Sequence, residues 1–133
     1  MKEKLVNLLN NSYAPYSNFR VSAIAVMNDG REFVGVNVEN AAYGSGICAE
    51  RSAILNAISN GYKRYDFKEL YVMCDNKKIG MPCFACRQVM LEFFDKDSRV
   101  VCINPFGEEL SLKISELCPY PFDSEDLAWK VVL

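Results

Sequence analysis

The sequence predicts an α/β fold: a three-layer α/β/α sandwich around one central mixed β-sheet. Three observations carry that expectation. Strand-type and helix-type segments alternate along the chain instead of clustering. The 133 residues are 50% hydrophobic, enough for a genuine core. No repeat, low-complexity segment or long linker divides them, so residues 1–133 read as a single domain.

Each element has its own signal. Leu5, Leu8 and Leu9 share one helical face within residues 3–11, and Pro15 lies beyond it. Residues 20–27 alternate Val21, Ala23 and Ala25 with Ser22, Ile24 and Val26, the period of a strand. Asn28-Asp29-Gly30 supplies a hairpin turn, and residues 31–38 return as a second strand through Phe33, Val34, Val36 and Val38. Residues 40–47 are a loop holding Gly44-Ser45-Gly46. A helix follows from Cys48 to Ser59, with Ala53, Ile54, Ala57 and Ile58 as its apolar face and Asn60-Gly61 as its stop. Residues 68–74 read as a buried strand. Pro82 suits the first turn of a second helix over 83–95. Strands at 99–103 and 108–114, joined through Asn104-Pro105-Phe106-Gly107, complete the pattern.

Composition excludes several functions. Fifteen Lys and Arg stand against 17 Asp and Glu, and no basic stripe is present, which argues against nucleic acid as a partner. No apolar run approaches the ~18 residues of a membrane span, and the N-terminus, Met1-Lys2-Glu3-Lys4-Leu5, is not a signal peptide. The expected location is therefore cytoplasmic, where the six cysteines stay reduced and serve metal or core roles. Histidine is absent, which removes Ser-His-Asp and Cys-His chemistry. A proton shuttle must then be a carboxylate, Lys, Tyr or thiol.

Two cysteine clusters carry the chemistry. Cys48-Ala49-Glu50-Arg51 and Pro82-Cys83-Phe84-Ala85-Cys86 offer three thiolates for one Zn²⁺ per chain. Three protein ligands leave a tetrahedral zinc open to water, as catalytic sites do. Both clusters fall at expected helix N-termini, where free N–H groups and the helix dipole favour thiolates. Arg51 is placed to hydrogen-bond a ligand sulfur. Glu50, two residues from Cys48, is the candidate proton shuttle for the metal's water. Blander readings stand beside this one. A structural zinc knuckle needs a fourth ligand from Cys74, Cys102, Cys118 or a carboxylate. A redox C-x-x-C motif explains Cys83 and Cys86 but not Cys48-Ala49-Glu50. Cys74 and Cys102 sit in apolar runs and read as strand core.

The clusters match the three-cysteine variant of the zinc nucleobase deaminase signature, and nearly the whole chain resembles the small, homotetrameric type of cytidine deaminase. Tyr13-Ala14-Pro15-Tyr16-Ser17-Asn18-Phe19-Arg20-Val21 resembles its Y-x-P-Y-S-x-F-x-V opening. Asn37-Val38-Glu39-Asn40-Ala41 resembles its N-x-E-N-A segment, and Pro82-Cys83-x-x-Cys86-Arg87-Gln88 its second zinc motif. Leu117-x-Pro-x-x-Phe122-x-x-x-Asp126-Leu127 resembles its C-terminal motif. The resemblance implies a cytidine deaminase-like fold and deamination of cytidine and 2′-deoxycytidine for pyrimidine salvage. It implies that Asn37 and Glu39 bind ribose hydroxyls, that Phe19 packs on the pyrimidine with Phe122 of a neighbouring subunit, that Tyr43 lies near a subunit boundary, and that the backbone N–H of Ala49 meets the base carbonyl. It also implies a homotetramer whose active sites neighbouring subunits complete. The chain departs from the pattern at Ser22, which stands where Gly is usual, at Met81, where Ser is usual, and at Phe84, where Gly is common. The bulk of Phe84 is expected to narrow the pocket or to alter packing around the metal. Two alternatives remain: a related deaminase of another cytosine nucleoside, such as a blasticidin-type antibiotic, and a non-enzymatic zinc-stabilised binding module.

Overall fold

Side chains of Val21–Met27 (β1) point alternately to two faces, and each face has its own core. Ala23, Ala25 and Met27 serve one and Ile24 and Val26 the other. The molecule, a computed structural model, is described over residues 1–128. β1 pairs antiparallel with Glu32–Val36 (β2) and with Phe67–Cys74 (β3). β3 pairs in parallel with Phe94–Ile103 (β4), which pairs antiparallel with Glu109–Lys113 (β5). The sheet is therefore mixed, in the order β2-β1-β3-β4-β5.

Helices cover both faces, as expected for three layers. Lys2–Leu9 (α1) lays Leu5 and Leu9 against Ile24, Val26, Met73, Val101 and Ile103. Full burial of each leucine contributes about 2 kcal/mol of transfer free energy. Ser22 is buried on the same face, and its hydroxyl donates to the Leu5 carbonyl at 2.8 Å. Serine at this position thus ties the sheet to α1. The opposite face takes Ala49–Ser59 (α2), Phe84–Phe93 (α3) and the short Ile114–Leu117 (α4), which bury Ala53, Ile54, Ala57, Cys86, Met90, Ile114 and Leu117. Ser124–Ala128 (α5) ends the described chain.

The two helices that matter most for the site begin where the sequence places them. Cys48 is the N-cap of α2 and Cys83 the N-cap of α3. α2 stops at Asn60-Gly61: Gly61 adopts φ +95°, Tyr62 N–H donates to the Ala57 carbonyl and Gly61 N–H to that of Ile58. α3 departs from expectation. It ends at Phe93 instead of 95, and β4 starts at Phe94 instead of 99. The cause is tertiary. Phe94 is buried beside Phe67, their ring centroids 5.0 Å apart, and the two pair across the sheet before the register shifts around residues 95–98.

Gly35 in β2 sets the height of α2 above the sheet. A Cβ there would overlap the Ala53 nitrogen, lie 2.5 Å from the Ala49 carbonyl oxygen and 2.9 Å from Ser52 Cβ. Those are backbone and first-turn atoms of the helix that carries Cys48 and Glu50, so they cannot step aside independently. Gly35→Ala is expected to lose about 3 kcal/mol of stability or more, read from the midpoint of urea unfolding.

Candidate active site

The pocket grows from the end of β2. Val38 bridges two segments at once: Tyr13 in parallel and Ile47 antiparallel. Glu39 N–H donates to Tyr13 O at 2.8 Å, while Val38 and Ile47 exchange hydrogen bonds of 3.0 and 2.9 Å. These bridges gather the Phe19 segment, the 37–39 segment and the Tyr43–Ile47 loop around the N-terminus of α2. Between them opens a cavity of about 610 Å³, lined among others by Phe19, Asn37, Glu39, Tyr43, Cys48, Ala49, Glu50, Arg51, Met81 and Cys83. That volume lies within the range of small-molecule sites.

Cys48 and Cys83 line its floor, and Cys86 lies buried just behind them. Cys48 Sγ lies 3.7 Å from Cys83 Sγ, Cys83 Sγ lies 3.5 Å from Cys86 Sγ, and all three fall within 4.8 Å of one another. Thiolates arranged tetrahedrally at the usual Zn–S distance of about 2.3 Å sit about 3.8 Å apart, so the spacing fits zinc. Neither N-cap cysteine uses its side chain to cap its helix, which leaves the sulfurs free to bind metal. Cys74, Cys102, Cys118 and the Glu50 carboxylate are not members of the cluster, so the described residues supply three ligands and no fourth.

Electrostatics favour charge on the Cys48 sulfur. Without metal, the Cys48 thiol is lowered to about 5, first by a hydrogen bond from Cys86 and also by Arg51 and Cys83. Arg51 Nη2 donates to Cys48 Sγ at 3.3 Å. Cys86, the donor to Cys48, is pushed up, and burial adds to that. Arg51 Nε is the one buried side-chain nitrogen or oxygen among the described residues without a partner. Glu50 is 4% exposed at the cavity floor. Burial pushes its carboxyl up, and the Cys48 charge adds to that. Cys74 also lines the cavity, but burial pushes its thiol to about 11, which keeps it a neutral core thiol.

The expected substrate contacts divide by what already occupies them. Asn37 is buried: Oδ1 accepts from Val21 N–H at 2.9 Å and from Ser12 Oγ, and Nδ2 donates to Phe19 O at 2.8 Å. Glu39 Oε1 accepts from Tyr16 N–H at 3.0 Å and Ser17 N–H at 3.1 Å, and Oε2 from Ser17 Oγ. Phe19 is half-exposed and Tyr43 is exposed at the mouth, edge-to-face with Tyr16. Ala49 opens α2, so its N–H has no carbonyl partner within the helix. Phe122 is exposed and does not line its own chain's cavity; Gln88 Nε2 donates to its carbonyl at 2.8 Å.

Phe84 does not narrow the pocket. It lies outside the lining, 76% exposed, beneath the Arg87 guanidinium at 4.3 Å. Phe84→Gly should leave KM within about threefold of the parent value, the scale of a surface substitution, as initial rates over a substrate series would show. The sequence gives Arg87 no role. The structure does: Nε donates to Pro82 O at 2.8 Å and Nη1 to Leu117 O at 3.2 Å, fixing the residue ahead of Cys83. Gly35 and Ser17 were equally silent. An isolated glycine inside a strand is the available signal for the first.

Residues 1–104 match the family model described as the cytidine and deoxycytidylate deaminase zinc-binding region. The chain belongs to this deaminase family. A cytidine deaminase of Halalkalibacterium halodurans is 43% identical over 87% of this chain and 86% of its own length. A probable cytidine deaminase of Dictyostelium discoideum is 42% identical over 96% of this chain and 88% of its own. The crystal structure of cytidine deaminase from Burkholderia pseudomallei superposes with TM-score 0.86 at 41% identity, covering 90% of this chain and 94% of that one. The mixed five-stranded sheet is thus the fold of solved cytidine deaminases, and the three-sulfur cluster fits the zinc binding of a deaminase domain. Among the described residues no helix is long and apolar enough to cross a membrane.

Proposed function

We propose that the chain is a single-domain hydrolase that deaminates cytidine and 2′-deoxycytidine to uridine and 2′-deoxyuridine with release of ammonia. One observation carries the reading: a nucleoside-sized cavity is lined by a buried carboxylate and by two sulfurs of a three-sulfur cluster spaced for zinc. Cys48, Cys83 and Cys86 would hold the zinc, which would supply Lewis acidity to a water near neutral pH. The chain's own groups do the rest. Glu50 takes a proton from the attacking water, gives it to the ring nitrogen beside the reacting carbon, and then protonates the departing amine. Arg51 steadies the Cys48 thiolate. The Ala49 N–H orients the base through its carbonyl, and Phe19 covers the ring. Glu39 accepts a sugar hydroxyl, and Asn37, its amide bound to three backbone or hydroxyl partners, holds that wall in place.

This reading places the enzyme in pyrimidine salvage in the cytoplasm. It also makes the active form a homotetramer. Phe122, exposed and outside the lining of its own cavity, then completes a neighbour's site, and sedimentation equilibrium should return four chains. A zinc-stabilised module without activity is disfavoured because, among the described residues, no fourth ligand joins the cluster. The deciding experiment is ultraviolet-monitored turnover of cytidine by the purified zinc protein. Conversion of cytidine and 2′-deoxycytidine supports the reading. Conversion of neither, with a blasticidin-type nucleoside consumed instead, moves the chain to the alternative substrate.

A further inference from the structure

A carboxylate has roughly four acceptor sites, and the protein fills three of those on Glu39. Oε1 receives the N–H groups of Tyr16 and Ser17, and Oε2 receives the Ser17 hydroxyl. One site on Oε2 is left. The Ser17 oxygen is itself held, because Phe19 N–H donates to it at 3.0 Å. That bond takes one lone pair of the hydroxyl and turns its proton toward Glu39. Asn18 between them adopts φ +57°, so the chain bends back on itself and brings the residue 17 oxygen under the residue 19 nitrogen. Tyr16, Ser17, Phe19 and Glu39 all line the cavity.

We propose that Ser17 is a positioning residue for the sugar: its hydroxyl fixes the Glu39 carboxylate so that the single acceptor left on Oε2 meets a nucleoside hydroxyl. The Ser17 hydroxyl also holds the Glu39 carboxyl below the usual range. Without the hydroxyl, the Tyr16 and Ser17 N–H groups still hold Oε1, but Oε2 has two free acceptors and no partner, so the rotation of the carboxylate about its own bond must be stopped by substrate at the moment of binding. The cost falls on substrate affinity and not on the chemical step. It falls only on ligands that carry the sugar hydroxyls.

This inference rests on the proposed nucleoside reading, and its test separates the two. KM and kcat for cytidine, and the inhibition constant of 2′,3′-dideoxycytidine against cytidine turnover, are measured for the parent protein, Ser17→Ala, Ser17→Thr, Glu39→Gln and the double variant Ser17→Ala/Glu39→Gln. Ser17→Ala should raise KM for cytidine by about tenfold while leaving kcat within about threefold, the pattern of lost binding and not of lost catalysis. The inhibition constant of the dideoxynucleoside should stay within about twofold, since it offers no 2′ or 3′ hydroxyl to place. Ser17→Thr should restore KM. In the Glu39→Gln background, removing the hydroxyl should add little, because the two residues act as one unit. Equal weakening of both ligands, a fall in kcat with KM unchanged, or additive effects in the double variant would overturn the proposal and leave Ser17 as a loop residue. A parent protein that retains zinc but converts no cytidine would overturn the nucleoside reading, and this inference with it.

Discussion

Glu50→Gln is expected to cut kcat for cytidine by roughly 10²- to 10⁴-fold, the range a positioned general acid–base supplies, while zinc stays bound. The substitution keeps the volume of a side chain that is 4% exposed, so the floor of the cavity should hold its shape. It removes the capacity to accept a proton and give it back. The carboxylate is not part of the sulfur cluster, so metal content should not change. Progress curves at the absorbance of cytidine, paired with atomic absorption for zinc, read both halves of the expectation. Turnover within tenfold of the parent would take the shuttle role away from Glu50. Zinc loss in this variant would instead mean that the carboxylate supports the metal.

Cys83→Ala should abolish turnover by emptying the metal site. Cys83 is the exposed member of the three ligands, and it sits at the N-cap of α3 without making a side-chain cap hydrogen bond. Removing its sulfur therefore costs little packing and no cap, unlike Cys86, which lies in the core. Two sulfurs would remain of a site that needs three ligands to hold zinc in catalytic form. Zinc content after dialysis should fall close to zero. The melting temperature should drop as well, because a metal that binds only the folded chain adds stability that is lost with it. Full zinc retention with turnover intact would show that Cys83 is not a ligand.

Both helix starts were legible because their signals are local. Proline stands just before one N-cap, an Asn-Gly stop ends the other helix, and cysteines fall on the first turns. The end of α3 was not. Met90, Leu91, Phe93 and Phe94 form an apolar run that suits a helix or a strand equally, and only the burial of Phe94 against Phe67 decides between them. The same limit applies around the cavity. The motifs name Asn37 and Glu39, but the sequence does not show that Ser12, Val21 and Phe19 already hold the amide, or that Ser17 holds the carboxylate. Phe84 is the reverse case. Its neighbours in sequence are ligands, yet its ring turns outward onto Arg87, because a helix first turn points successive side chains in different directions.

Val38 joins two separate stretches of chain, one at Tyr13 and one at Ile47. For anyone redesigning the enzyme, this makes the pocket non-modular. A loop transplanted from a relative between residues 40 and 47 must also keep register with residue 38, and through it with the segment that presents Phe19. Exchanging one wall alone would shift the opposite one. Met81 hangs from neither bridge while still facing the cavity. Libraries aimed at bulkier pyrimidines are best begun there, where a single side chain can be varied without disturbing its surroundings.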